Sequence, residues 1–290
     1  MNEYELYRNI IDGCDEALRD VFLRRMEMSL KVAERKLASG GDIFAPEREA
    51  AIIEHISDGL PPELALKAQS LWRSLLRMSR GRQYHYFITH DKSLRLSYEP
   101  DILTAAPDGP VLCTESDARL ISSSLGLEAQ TCSSVSKALE GLENGTAPWA
   151  ALALENFYDS DWLYSMIFQR PIYVNSVQRA AGGKHVFLLS RNLYDLPEND
   201  MITLAFAMPS HVYGILAQSL EVFADLKINL EYLRFKTQNI NDDNKNQRSV
   251  VFADFNGQLL SVPVRAALLQ LESEAPFCRV IGYRRRLEEV

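Results

Sequence analysis

Residues 3–38 contain no proline, and apolar side chains recur there at helical spacing: Leu6, Ile10, Cys14, Leu18, Val21, Met28 and Val32. Only Gly13 interrupts the pattern. The spacing predicts a single helix of roughly 50 Å, at 1.5 Å per residue. Ser39-Gly40-Gly41 ends it. Pro46 then sits at a first-turn position, with Glu47 and Glu49 placed to meet a helix N-terminus, and a second helix runs to about residue 57. Pro61-Pro62 starts a third helix through Leu64, Ala68, Leu71, Leu75 and Met78. Two shorter helices cannot cover the apolar stripe of the first in a compact monomer, so the expectation is an intertwined homodimer.

Composition narrows the function classes. The chain has 290 residues, 47% hydrophobic, with a net charge of −8. That balance opposes general nucleic-acid binding, which needs clustered cations, but a few local cations can still hold a small anion. No run reaches the ~20 apolar residues of a membrane span. The first five residues are acidic and lack a signal-peptide apolar region, so a cytoplasmic location is expected. Cys14, Cys113, Cys132 and Cys278 form no CxxC pair, and the histidines show no ligand spacing. Reduced thiols are expected, with neither a disulfide framework nor a metal site.

Three segments emerge: 1–90, all helical; 100–192, α/β in texture; and 200–286, with a βαββαβ rhythm. In the middle segment, short apolar runs at 111–113, 150–154, 172–174 and 185–189 alternate with helical stretches at 116–125, 134–143 and 160–168. Residues 194–200, with Pro197, read as a linker. In the last segment, strands are expected at 201–208, 228–237, 249–255 and 278–283, with helices at 209–226 and 262–271. Residues 239–248 form a polar excursion. This is the ferredoxin-like arrangement.

Chemistry concentrates in the helical segment. Arg25 and Lys36 are 11 residues apart, close to three turns, and share a face. Arg8 is a quarter-turn off that line and could reach a partner subunit's site. Arg48 lies on the second helix, and Ser79 and Gln83, four apart, share a face of the third. Cations inside a helical bundle call for an anionic ligand, because unpaired buried charge is costly. Arginine forks match carboxylates two bonds at a time. From spacing alone, ordinary exposed bundle cations are the simpler reading.

Five pieces in register carry a resemblance. They are Arg8 followed by Asp15-Glu16, Arg24-Arg25-Met26-Glu27, Val32-Ala33-Glu34-Arg35-Lys36, Pro46-Glu47-Arg48-Glu49, and Ser79 with Gln83. Over about 85 residues the chain resembles the all-helical (type II) chorismate mutase domain. The resemblance implies a pericyclic isomerisation of the dianion chorismate to prephenate, a step of aromatic amino acid biosynthesis that needs no metal or organic cofactor. It also implies roles. Arg25 and the partner subunit's Arg8 clamp the carboxylates, and Lys36 and Gln83 donate to the ether oxygen. Glu49 meets the ring hydroxyl, while Arg48 and Ser79 support binding. Three residues before Arg48 the family usually has an aspartate, and here Ala45 stands in its place.

The last segment resembles the ACT regulatory domain found after prephenate dehydratase. The resemblance rests on 228–230, 251–257, 264–268 and 280–283. The family's effector motifs are replaced by Ser210-His211-Val212 and Arg234-Phe235-Lys236-Thr237, so a small-molecule effector at this module is an open expectation. The middle segment resembles one lobe of prephenate dehydratase, at about half the family's size. Lys184-His185-Val186 stands where the catalytic Thr-Arg-Phe would fall. A lone lobe should have no cleft, so dehydratase activity is expected to be absent. Ser133, Ser134 and Ser136 read as helix-capping serines rather than nucleophiles. The expected whole is a homodimeric mutase fused to a truncated dehydratase-like lobe and an ACT-like module. The rivals are a non-catalytic regulator, an active mutase–dehydratase, and a lyase acting on isochorismate.

Overall fold

A computed structural model describes residues 2–155, 160–208, 214–239 and 247–287. The chain divides into two compact units, Met1–Leu94 and Arg95–Val290.

The first unit holds α1 (Glu3–Ser39), α2 (Pro46–Ser57) and α3 (Pro62–His90). Asn2 caps α1, accepting from the Tyr4 amide while Glu5 reaches back to the Asn2 amide, a reciprocal box that satisfies two end donors. Gly40, at φ 71°, closes the helix in the left-handed conformation that glycine adopts without strain. Met26, Ser29 and Ala33 are the buried residues of α1, spaced to lie on one face. On α3 the buried residues include Leu76, Ser79, Gln83, Tyr84 and Ile88. Both α1 and α2 pack on α3. Toward the start of α1 the apolar stripe continues but is uncovered: Tyr4, Tyr7, Ile10, Ile11, Leu18 and Val21 are all exposed.

The second unit contains β1 (Ile102–Leu103), β2 (Val111–Thr114), α4 (Ala118–Leu125), β3 (Ala129–Cys132), α5 (Val135–Glu143), β4 (Trp149–Leu154), α6 (Ser160–Ile167), β5 (Tyr173–Arg179), β6 (His185–Ser190) and β7 (Leu193–Tyr194). Then follow β8 (Met201–Ala207), α7 (Ile215–Asp225), β9 (Leu230–Asn239), β10 (Gln247–Asn256), α8 (Val262–Glu274) and β11 (Phe277–Arg284). Nine strands form one sheet in the order β3-β2-β4-β6-β5-β11-β8-β10-β9, while β1 and β7 pair separately. Strand β2 runs parallel to β3 and β4, and β6 is antiparallel to β4 and β5. Among β11, β8, β10 and β9 every pairing is antiparallel.

The two halves of this sheet meet where β11 runs parallel to β5, at the pair Gly282 and Val174. A Cβ on Gly282 would lie 3.0 Å from the Val174 carbonyl oxygen and 3.3 Å from the Thr203 Cβ. Glycine is what lets three strands close up there. One apolar cluster spans both halves, joining Leu142, Tyr164, Phe168 and Phe187 to Ala205, Phe252 and Ile281.

Three expectations change. The stretch 194–200 is a built junction rather than a loose linker: Tyr194 lies in β7, and Asn199 is buried. Asn199 donates to the Tyr194 carbonyl at 2.9 Å, and its own carbonyl accepts from the Tyr283 hydroxyl at 2.9 Å. Buried backbone groups need such partners, and these partners hold the segment in place. The polar excursion is shorter than expected, because cross-strand pairing carries β9 to Asn239 and starts β10 at Gln247. The helix expected at 209–226 is α7, from Ile215; residues 209–213, with the altered Ser210-His211-Val212 motif, lie outside the described residues. Strand β3 was not foreseen, since Ala-Gln-Thr-Cys has no apolar run to mark it. Ser134 is the N-cap of α5, accepting from the Lys137 amide at 3.2 Å.

Candidate functional site

In the helical unit, α1 and α3 lie together because small residues face each other at their crossing. The hydroxyl of Ser29 donates to the Ser79 carbonyl at 3.0 Å. It also accepts from the Gln83 amide nitrogen at 3.2 Å. Ala33, one turn further on, is fully buried. This contact fixes the Gln83 side-chain amide, whose Oε1 has no hydrogen-bond partner among the described residues.

Arg25, one turn before Ser29, reaches the same place. Its guanidinium donates to the Leu75 carbonyl at 3.1 Å and, over a short contact, to the Ser79 hydroxyl. Ser79 in turn donates to the Leu75 carbonyl at 2.9 Å. Lys36, two turns beyond Ser29, donates from Nζ to the Ile43 carbonyl at 2.8 Å, tying the end of α1 to the loop before α2. Glu49, in the first turn of α2, forms a short ion pair with Arg80 of α3.

Electrostatics links these groups. Burial lowers the Lys36 pKa from its ordinary value; the Arg48 charge lowers it further, and Glu49 and Asp42 oppose the shift. Burial likewise lowers the Arg25 pKa, against the pull of Glu49. Arg25, Lys36, Arg48 and Glu49 therefore share one field, and half-buried cations dominate it.

The expected residues are thus sorted. Arg25, Lys36, Glu49, Ser79 and Gln83 converge from three helices, and Arg48 is an exposed neighbour that acts through its charge. Arg8 stands apart on the exposed half of α1, donating to the Tyr4 hydroxyl at 2.9 Å with its guanidinium 4.3 Å from that ring's centre. The Ala45 side chain offers no polar atom and leaves α2 without a side-chain cap. Sequence reasoning missed two residues. Ser29, four after Arg25 and seven before Lys36, was open to the same face argument. Arg80 had no signal beyond its place beside Ser79.

The second unit carries a groove of about 740 Å3. Its lining includes Trp149, Asn175, Arg179, Tyr194, Asn199 and Arg285. The expectation of no cleft concerns a lone lobe, whereas this groove draws its lining from both parts of the unit. Among the described residues, no group of three or more His, Cys, Asp or Glu is arranged to hold a metal. No helix among them is long and apolar enough to cross a membrane.

A three-helix scaffold thus brings together two half-buried cations, a neutral amide and a pinned carboxylate. The family model Chorismate mutase type II matches residues 7–84. The intracellular chorismate mutase of Mycolicibacterium smegmatis is 35% identical over 80 residues, covering 28% of this chain and 73% of that protein. That of Mycobacterium tuberculosis is 34% identical over 83 residues, covering 29% and 74%. Through this segment the chain belongs to the type II chorismate mutase family. A prephenate dehydratase of Arthrobacter aurescens, solved in complex with L-Phe, superposes with a TM-score of 0.50 at 14% identity, covering 61% of this chain and 90% of that one. That likeness is one of fold.

Proposed function

We propose that the helical unit converts chorismate to prephenate. The observation that carries this reading is the convergence of Arg25, Lys36, Glu49, Ser79 and Gln83 within the family-matched stretch. The reaction is a pericyclic shift in one bound molecule, so the protein has only to hold the reactive chair and stabilise charge on the breaking ether oxygen. Arg25 takes a carboxylate, Lys36 and Gln83 donate to the ether oxygen, and Glu49 accepts from the ring hydroxyl. Arg48 and Ser79 support binding, Ser79 by aiming the Arg25 fork. Substrate would have to draw Lys36 from the Ile43 carbonyl, exchanging a neutral acceptor for one that gains charge as the reaction proceeds. The Gln83 amide nitrogen gives one of its two hydrogens to Ser29, which leaves the second for substrate.

The second carboxylate lacks a clamp within one protomer. Arg8 is the residue the family pattern assigns to it, and Arg8 lies on the half of α1 with the exposed apolar stripe. Pairing that stripe with a second copy would bring the partner subunit's Arg8 to the site. The functional unit proposed is therefore a homodimer in which each site draws on both chains.

For the rest of the chain we propose a dehydratase-like lobe without dehydratase activity and an ACT-like module. The replacement of the catalytic Thr-Arg-Phe by Lys184-His185-Val186 supports the first. The antiparallel order β11-β8-β10-β9, with α7 and α8 in sequence, supports the second. A small-molecule effector, if this module takes one, would meet residues other than the family's motifs.

Purified full-length protein given chorismate is expected to form prephenate, with Lys36→Ala and Gln83→Ala each lowering kcat by about 10- to 100-fold at an unchanged circular dichroism spectrum. Each loss corresponds to one hydrogen bond to a charged group, about 1.5–3 kcal/mol. Absence of prephenate with the wild-type chain rejects the mutase reading in favour of a non-catalytic regulator. Turnover of isochorismate alone would indicate the lyase. Prephenate supplied as substrate should yield no phenylpyruvate, and its formation would establish the bifunctional alternative.

A further inference from the structure

Glu49 is held by a residue that no family pattern assigned to the site. Arg80 and Glu49 form an ion pair with side chains only 12% and 18% exposed. The Arg80 guanidinium also lies 5.0 Å from the centre of the Phe44 ring, in the loop between α1 and α2. One side chain of α3 therefore grips both that loop and the first turn of α2. Between these two grips sits Ala45, whose side chain has no polar atom to offer.

We infer that Arg80 is a positioning residue that aims the Glu49 carboxylate at the substrate hydroxyl, a task to which position 45 contributes nothing in this chain. The inference rests on the mutase reading and deepens it. The physical need is plain. Glu49 acts electrostatically on both Lys36 and Arg25. A partly desolvated carboxylate without its own cation would turn to one of theirs, since unpaired charge in such a place is costly. Capture of Lys36 by Glu49 would remove an ether-oxygen donor, and capture of Arg25 would remove a carboxylate clamp. Arg80 occupies one oxygen of Glu49 and leaves the other to accept a hydroxyl proton. Arginine suits the role because its planar fork can pair with the carboxylate while its face lies over Phe44.

The test is a double-mutant cycle on the full chain, read as chorismate turnover. Arg80→Ala is expected to lower kcat/KM by about 10- to 100-fold, raising KM through the misaimed hydroxyl contact and lowering kcat through capture of Lys36 by Glu49. Arg80→Lys should recover part of the loss, since it restores the charge but not the stacked fork. In a Glu49→Gln background, Arg80→Ala should cost less than about threefold, because its effect has already been lost. If Arg80→Ala is as harmful in that background as in the wild type, or leaves KM unchanged, the positioning role is overturned while the mutase reading stands. A thermal melt of each variant separates this from unfolding: a role confined to structure lowers Tm and gives additive losses. A wild-type chain that turns over no chorismate overturns the mutase reading itself, and the positioning role with it.

Discussion

Lys36 shows how one residue gathers its chemistry from several elements. Its place on α1 sets its face, the Ile43 carbonyl sets its aim, and burial and Arg48 set its proton affinity. Donation to an ether oxygen is strongest from the ammonium form. Because the folded-state pKa is lowered, that form is lost at a lower pH than in free lysine. kcat/KM is therefore expected to fall on the alkaline side, below the ordinary lysine range, as pH rises through the lowered value. Arg48→Gln removes a like charge, so the alkaline limb of the pH profile should move to higher pH even as substrate affinity drops. A limb that stays put would show that Lys36 does not govern it. At this scale the sequence was informative where spacing on a helix decides proximity, as for Arg25, Lys36, Ser79 and Gln83. It was silent on Arg80, because whether an arginine faces a carboxylate on another helix depends on packing that no local pattern records.

Elements were legible wherever an apolar rhythm and a breaker coincided. The proline at the start of α2, the glycine after α1 and the run of β8 all fall where they were expected. Boundaries shifted where pairing across strands, not local preference, sets the end, as for β9 and β10. A close strand approach depends on Gly282, whose Cβ position is bounded by Val174 and Thr203. Gly282→Val should therefore lower unfolding stability by about 1–3 kcal/mol in denaturant titrations. A polar knot sits on the same sheet. Asp254 is fully buried on β10 and pairs with Arg234 of β9 at 3.1 Å and with Arg284 of β11 at 3.5 Å. Arg234 is thus turned inward. Removing Asp254 leaves two arginines around a lost counter-charge. Asp254→Ala is expected to cost about 3–5 kcal/mol by the same measurement, more than any exposed pair could.

For the whole molecule, the long first helix remains the organising fact. Leu18 and Val21 are 62% and 66% exposed. In the proposed homodimer a second copy covers this stripe, which shares its half of α1 with Arg8. Leu18→Glu combined with Val21→Glu should convert a dimer to a monomer in light scattering and abolish turnover, because each site would lose the partner's Arg8. A dimer that survives this change would place the interface elsewhere. The sequence by itself determined the helical unit, its family and most of the residues that meet in its site, because helices are local and their faces can be counted from spacing. Only the tertiary structure decided that residues 95–290 make one unit with a continuous sheet, that the stretch at 194–200 is a junction, and that Arg80 holds Glu49. Those features arise from contacts between residues far apart in the chain, and their energy lies in close approach and buried charge rather than in any local preference.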